Sequence, residues 1–307
     1  MPPILVVLDP LLDAAQPALE KAVRLAQAKG ATLALYVNAY RASVLRSLGA
    51  DDELLTTTTA RLLSAWEARL RVLLDELQAP DAECHLFFEP DDEATLAKLV
   101  LNLKPQLAVV HTEALPGISR LALTPRHWAL LRKAPCPVLC VSPAPWPARP
   151  EITVAVDTEH ARGKPESLDA RLVTEGRDLA RSLDARLKLV NVVEYPDETL
   201  IMLAGDALPV SLSSTRTLRE FYRKRLDEFC QQCQFAEEDS RLLEGAPHKA
   251  LASHMSEHPG ILVVGTVSRG PVRRLLLGST AEQVLQHAET DVLVIKPADF
   301  VSPWAQD

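Results

Sequence analysis

The sequence contains two copies of one pattern, and this repeat restricts the possible folds more than any other feature. Residues 107–142 align without a gap with residues 261–296, so that His111 pairs with Gly265 and Val138 with Val292. The segments ILVVLDP at 4–10 and ITVAVDT at 152–158 also correspond, and their aspartates fall in register. Internal similarity on this scale predicts two copies of one domain in the chain.

A proline-rich segment lies between the two copies. VSPAPWPARP (141–150) carries four prolines in ten residues, which favour an extended and semi-rigid connector. We therefore predict a first domain over 1–142, a linker over 143–150, a second domain over 151–298 and a C-terminal tail over 299–307.

Each copy alternates short apolar runs with helical periods. The run Ile4 to Leu8 is typical of a strand buried on both faces, and Leu19, Ala22, Val23 and Ala26 follow helical spacing before Gly30. The order βαβαβαβαβ predicts, in each copy, an α/β doubly wound fold with a five-stranded parallel sheet. A long helical stripe is predicted in each copy, formed by Leu62, Leu63, Trp66, Leu70, Leu73 and Leu77 in the first and by Leu218, Phe221, Tyr222, Leu226 and Phe229 in the second.

Composition and charge exclude several classes of protein. The net charge of −8 argues against nucleic-acid binding, which depends on an excess of Lys and Arg. The sequence has no apolar run near the ~18 residues of a membrane span, and its N-terminus lacks the basic flank of a signal peptide. Five cysteines, an odd number, indicate free thiols in a reducing cytosol. We expect a cytoplasmic protein that binds neither membranes nor nucleic acid.

The stretch VVGTVSRGPVRRLLLGSTAEQV (263–284) places a glycine-containing loop between a predicted strand and a predicted helix. In open α/β sheets, ligands bind beyond the carboxyl ends of the strands. Gly265 would let a ligand approach the backbone, Gly278, Ser279 and Thr280 would offer N–H groups and hydroxyls to phosphate, and Arg269, Arg273 and Arg274 would add positive charge. Ser279 and Glu282 also fit a capping box, so the same residues are explained by helix capping alone.

The spacing of this loop resembles the nucleotide loop of the universal stress protein family, G-x2-G-x9-G-[ST]. The phrases TPRHWALLRKAPCPV and LGSTAEQVLQHAETDVLVIKP are similar to those of tandem members, and the resemblance covers nearly the whole chain. It implies an adenine nucleotide alpha hydrolase-like fold, a cytoplasmic and non-catalytic role in the stress response, ATP binding, and a homodimer. The implied nucleotide-binding residues are Ala155, Asp157, Val192, Val264, Gly265, Ser268, Gly278, Ser279 and Thr280.

The two copies depart from this loop to different degrees. In the second copy, Ser268 stands where the middle glycine is expected; if that position needs a positive φ, the serine costs ~1–2 kcal/mol, or roughly tenfold in affinity. In the first copy, His111, Ala114, Thr124 and Pro125 replace the corresponding loop residues. Proline lacks the backbone N–H that would donate a hydrogen bond to a phosphate. We predict one ATP site per chain, in the second domain.

Other clusters of reactive side chains carry less specific patterns. Cys230 and Cys233 have CxxC spacing, but they end a helical stripe instead of following a strand. His254 and His258 are four residues apart, without the HExxH order of a zinc enzyme, and a solvated helix end explains them. No G-x-S-x-G, Walker A or GxGxxG motif occurs. We predict no metal site and no enzymatic activity.

The predicted final strands, PVLCVS and DVLVIKP, suggest how the copies associate. Exposed strand edges invite pairing, so we expect an intramolecular pseudo-dimer of the two domains and a homodimer of chains. An alternative function is a nucleotide-independent scaffold or a carrier of an apolar molecule. The apolar segment LIMLAGDALPVSL (200–212) is the feature that suggests it, since such a segment can cover a hydrophobic crevice.

Overall fold

The computed structural model describes residues 1–11, 14–48, 52–114, 121–122, 125–158, 167–195, 212–266, 279–287 and 290–306. The described chain divides into two compact units. Domain 1 contains Met1–Ala114, Ala122–Pro145 and the residues from Phe300 onward, and domain 2 contains Trp146–Asp299. Across the described residues, every helix is too short or too polar to cross a membrane.

Domain 1 is built on five parallel strands in the order β3-β2-β1-β4-β7. Its elements are β1 (Ile4–Val7), α1 (Pro17–Lys29), β2 (Leu33–Asn38), α2 (Ala42–Leu48), α3 (Asp52–Glu76), β3 (Glu83–Phe87), α4 (Asp92–Leu103), β4 (Leu107–His111), the two-residue strands β5 (Glu113–Ala114) and β6 (Leu121–Ala122), α5 (Pro125–Lys133) and β7 (Val138–Val141). A 3₁₀ turn (Pro303–Ala305) completes the unit.

Domain 2 repeats this order with five parallel strands, β10-β9-β8-β11-β12. Its elements are β8 (Glu151–Val156), α6 (Ser167–Ser182), β9 (Arg186–Val193), α7 (Leu212–Gln232), a 3₁₀ turn (Glu237–Asp239), β10 (Ser240–Glu244), α8 (Pro247–Glu257), β11 (Gly260–Gly265), α9 (Ser279–His287) and β12 (Asp291–Ile295). The predicted α/β doubly wound fold, with five parallel strands in each copy, is confirmed.

Local sequence signals explain where several helices begin and end. Helix α1 has a proline at its first position and ends at Gly30, whose φ of 61° is the left-handed conformation that glycine adopts without strain. Helix α4 is capped by Asp91, whose side chain accepts a hydrogen bond from Ala94 N. The helix therefore begins at Asp92.

The repeat seen in the sequence recurs as matching contacts in the two domains. In domain 1, Lys21 Nζ on α1 donates to Ser142 O, the residue after the last strand, at 2.8 Å. In domain 2, Arg171 on α6 donates to Lys296 O at 2.9 Å. In each domain a cation on the first helix thus fixes the carboxyl end of the last strand.

The long helical stripes are only partly buried. In α3 the buried side chains are Trp66, Leu70 and Leu74. In α7, Leu226 and Phe229 are buried, whereas Phe221 keeps 46% of its surface exposed. The periodicity therefore identified both helices correctly, although only part of each stripe is buried.

Candidate functional site

The carboxyl ends of β8 and β11 lie side by side in domain 2, at the point where the strand order reverses. The two strands pair with Val154 opposite Val263, so that Asp157, just after β8, and Gly265, the last residue of β11, lie at one edge. Val192 lies near the carboxyl end of the neighbouring strand β9, at the same edge. In this fold class that edge is where ligands bind.

The predicted site residues fall into three groups in the structure. Ala155, Asp157, Val192, Val264 and Gly265 lie in or directly after the strands at this edge. Ser279 and Thr280 form the start of α9, and only their backbone is described. Ser268 and Gly278 lie outside the described residues, as do Arg269, Arg273, Arg274 and the segment 200–211.

Gly265 has a packing reason to be glycine. A Cβ built on it would lie 2.8 Å from Leu168 Cδ2 and 3.4 Å from Leu172 Cδ1, both on α6. Real Cβ atoms do not approach neighbours at 2.8 Å, so a larger residue would require the Leu168 side chain to move. This packing is a second reason for a glycine at this position, and the role of Gly265 in nucleotide binding stays a prediction.

Two polar residues follow the strands at the same edge. Thr158 is buried and its hydroxyl accepts a hydrogen bond from Asn191 Nδ2 at 2.7 Å. Thr266, directly after Gly265, is fully buried, and within the described part of the chain its hydroxyl has no hydrogen-bond partner. A buried hydroxyl without a partner costs free energy, so this group is available to the loop or to a bound molecule.

At the equivalent edge of domain 1, Arg126, in the first turn of α5, makes several contacts. Its Nε lies 2.6 Å from Asp92 Oδ2, and its Nη1 donates to Leu8 O, the carbonyl that follows β1, at 3.3 Å. The guanidinium carbon lies 5.9 Å from the centre of the Tyr36 ring. In the sequence alignment Arg126 corresponds to Thr280, so a long cation in domain 1 replaces a short hydroxyl residue in domain 2.

Asp92 connects this arginine to the end of β2. Its Oδ1 accepts hydrogen bonds from Tyr36 Oη at 2.8 Å and from Asn38 Nδ2 at 3.0 Å. Asn38 also donates to Glu89 O. Burial, together with the Asp92 charge, raises the pKa of the Tyr36 hydroxyl far above its usual value, so the tyrosine remains a donor. The polar groups at this edge are therefore bonded to one another.

His127 lies next to Arg126 in α5. Only 6% of it is exposed, and burial, with Arg126 beside it, lowers the pKa of its imidazole to about 4. A hydrogen bond to the backbone of His111, the counterpart of Gly265, acts in the opposite direction but is the weaker effect. His127 is consequently neutral at pH 7 and offers no positive charge to a phosphate.

Replacing Arg126 by methionine tests how much this network stabilises domain 1. The change leaves the half-buried Asp92 with two neutral donors and no cation, and should lower the free energy of unfolding by about 1–3 kcal/mol. The matched control is Arg71→Met, whose exposed pair with Glu67 is expected to contribute under about 1 kcal/mol. Urea unfolding measures both; equal losses would mean that the Arg126 network is no stronger than a surface ion pair.

Comparison with known proteins shows the family to which the chain belongs. A model described as the universal stress protein family matches residues 1–142 and 150–296. The chain belongs to the universal stress protein family. It is a tandem member, since each of its two domains matches the family model.

Relatives match over the full length of this universal stress protein. Universal stress protein E of Photorhabdus laumondii is 29% identical over 98% of this chain and 96% of its own, and that of Escherichia coli K12 is 27% identical over 99% and 96%. A solved structure from Pseudomonas aeruginosa UCBPP-PA14, described as a universal stress protein, has a TM-score of 0.71 at 25% identity, covering 97% of this chain and 94% of its own.

A buried ionic cluster lies at the opposite, amino-terminal edge of domain 2. Glu151, the first residue of β8, is 2% exposed, and its carboxylate lies 3.5 Å from His254 Nε2, 3.7 Å from His258 Nδ1 and 3.8 Å from Arg186 Nη2. The two imidazole rings stack with centroids 4.6 Å apart. The prediction of a solvated helix end was wrong for His254, which is 6% exposed, because α8 ends against this carboxylate.

The charges around Glu151 determine its protonation state. Burial alone would raise the pKa of this carboxyl, but the nearby His254, His258 and Arg186 side chains together outweigh this effect. The net effect lowers the pKa of Glu151 below its ordinary value of 4.5. Glu151 is therefore ionised at neutral pH although it is buried.

The cysteines of this universal stress protein are all free thiols. Burial raises the pKa of both Cys230 and Cys233, which opposes formation of the reactive thiolate. Among the described residues, no group of three or more His, Cys, Asp and Glu side chains is placed to hold a metal ion.

Proposed function

We propose that this protein is a cytoplasmic, non-catalytic stress-response factor that binds ATP in domain 2 only. The observation that carries the proposal is the contrast between the two strand edges. In domain 1, Arg126 bonds the carbonyl after β1 and pairs with Asp92. In domain 2, Thr280 stands at the equivalent position, and the Thr266 hydroxyl has no partner in the described part of the chain. These contacts at the edge of domain 1 favour a single site per chain.

The proposed roles follow from the chemistry of an adenine nucleotide. Asp157 supplies a carboxylate that can accept hydrogen bonds from ribose hydroxyls. Ala155, Val192 and Val264 offer apolar surface to the adenine ring. The phosphates would accept hydrogen bonds from backbone N–H groups at the start of α9, where Ser279 and Thr280 lie, and the helix dipole favours their negative charge. Ser268 and Gly278 would complete the loop.

Titration calorimetry of the full chain with Mg-ATP tests the number of sites and their location. We expect one ATP per chain, and Asp157→Ala should weaken binding at least about tenfold, the effect of losing one good polar contact. Asp9→Ala is the matched control, because Asp9 holds the equivalent position in domain 1. Two equivalent sites, or equal effects of the two variants, would contradict the proposal.

A substitution at Ser268 tests the proposal by a gain of affinity for ATP instead of a loss. If Ser268 occupies a backbone conformation with positive φ, Ser268→Gly should tighten ATP binding roughly tenfold. A substitution at Gly265 is less suitable, because a Cβ there would lie 2.8 Å from Leu168 Cδ2 and would disturb the packing of that side chain. Loss of binding in such a variant would report damage to the domain instead of loss of a nucleotide contact.

The alternative function, a nucleotide-independent scaffold or a carrier of an apolar molecule, is distinguished by the same experiments. Absence of any heat of binding at millimolar ATP, together with an apolar molecule that copurifies with the protein, would favour the carrier. The intramolecular pseudo-dimer and the homodimer of chains remain predictions. Analytical ultracentrifugation tests the homodimer, since a strictly monomeric mass would exclude it.

A further inference from the structure

The last described residues belong to domain 1, not to the domain that precedes them in the sequence. After β12 the sequence leaves domain 2, and the residues from Phe300 onward are part of domain 1. Ser302 and Trp304 are 4% and 7% exposed, as buried as core residues. The sequence had predicted a tail over 299–307 without any structural role. In sequence terms, domain 2 is enclosed between two parts of domain 1.

Two hydrogen bonds fix this tail to neighbouring helices of domain 1. Ser302 Oγ donates to the carbonyl of Lys133, the last residue of α5, at 2.6 Å. The final carbonyls of a helix have no partner within it, so the serine satisfies one of them. Trp304 Nε1 donates to Glu93 Oε1, in the first turn of α4, at 3.3 Å. Glu93 in turn forms an ion pair with Lys133.

The indole of Trp304 is the apolar anchor of the tail. The short 3₁₀ turn Pro303–Ala305 lies against α4, and Pro303 occupies its first position. Proline fixes its own φ, which reduces the conformational freedom that the tail loses on docking. A large buried aromatic ring with a hydrogen-bonded N–H is the kind of residue that dominates the binding energy of peptide interfaces.

We propose that the face of α4 and α5 marked by Glu93 and Lys133 is a docking site for a Ser-Pro-Trp peptide, filled by the chain's own C-terminus. Domain 1 is incomplete until residues 300–306 are in place. The stability of α4 and α5 therefore depends on a segment that lies beyond domain 2 in the sequence. The recognition is local, so the same segment supplied as a separate peptide will bind to a chain that lacks it.

Hydrogen exchange of the full-length chain tests this dependence. In the Trp304→Ala variant, the amide hydrogens of α4 and α5 should exchange at least about tenfold faster, because local opening of these helices becomes easier. The same increase is expected for a chain that ends at Asp299. The matched control is Trp146→Ala. Trp146 donates to Asp291 Oδ2 at 2.6 Å within domain 2, so its loss should leave exchange in α4 and α5 unchanged.

A synthetic peptide of residues 297–307, added to the shortened chain, should restore slow exchange in α4 and α5. The same peptide carrying Trp304→Ala should not. If the shortened chain does not fold, Trp304→Phe and Ser302→Ala remain as milder tests, each with a smaller increase in exchange confined to the same helices. Unchanged exchange in these variants would overturn the proposal. Protection of α4 and α5 that falls on dilution of the wild type would also overturn it, because the tail would then come from a second copy.

Discussion

Gly260→Ala is expected to lower the free energy of unfolding by about 4 kcal/mol or more, an exceptional value for the addition of one methyl group. Gly260 begins β11, beside Glu151 at the start of β8. A Cβ on Gly260 would lie 1.9 Å from Glu151 O and 2.6 Å from Glu151 N. These are backbone atoms of a paired strand, so relief requires the two central strands of domain 2 to separate locally.

The matched control for this substitution is Gly30→Ala. Gly30 has a φ of 61° and no atom within 4 Å of a built Cβ, so alanine there meets only the backbone strain of about 1–2 kcal/mol. Urea unfolding followed by circular dichroism measures both variants. A loss at Gly260 no greater than that at Gly30 would show that β8 and β11 adjust without cost.

The second large effect is expected at Glu151. Glu151→Ala removes the carboxylate that faces His254, His258 and Arg186, and it leaves a cavity and a buried imidazole without the carboxylate that it faces. Loss of a buried polar partner costs about 1–3 kcal/mol, and the cavity adds to this. We expect a total of about 3 kcal/mol at pH 7 in urea unfolding. Glu67→Ala, at an exposed position on α3, is the control and should change stability by less than about 0.5 kcal/mol.

The pH dependence of unfolding separates the charge of Glu151 from its volume. The folded-state pKa of this carboxyl is lowered below its ordinary value of 4.5, so its charge stabilises the fold above that pH, and the contribution is lost as the pH falls through the folded-state value. The nearly isosteric Glu151→Gln variant lacks this contribution. Between about pH 5 and pH 3 the wild type should therefore lose stability more steeply than the variant. Parallel curves would mean that Glu151 stabilises the fold by packing alone.

Much of the fold could be predicted from the sequence because its signals are local or repeated. The buried strands are continuous apolar runs such as Ile4 to Leu8, and α1 carries both its helical period and Gly30 at its end. The gapless match between 107–142 and 261–296 then transferred each element from one copy to the other. The short helix α2 was not predicted, since its seven residues, Ala42–Leu48, are too few to show a clear period.

The candidate site was less predictable because its contacts join residues that are far apart in the chain. Pro125 predicted a domain 1 without a phosphate loop, but the contact that supports this prediction joins Arg126 to Asp92, 34 residues earlier. His254 resembled a solvated histidine until the structure placed it against Glu151. No periodicity or motif reports such distant pairings. The sequence held one signal of the Arg126 contacts: the first copy has an arginine, Arg126, where the second copy has Thr280.

If ATP binds only in domain 2, as proposed, the two domains differ in how their stability depends on nucleotide. Arg126 and Asp92 are covalent parts of the chain, so the stabilisation that they give is the same at every nucleotide concentration. With the proposed ATP site in domain 2, that domain would gain stability by mass action, about 2.7 kcal/mol at a hundredfold excess of ligand over Kd. The protein would then register the energy supply of the cell as a difference in stability between two domains of the same fold.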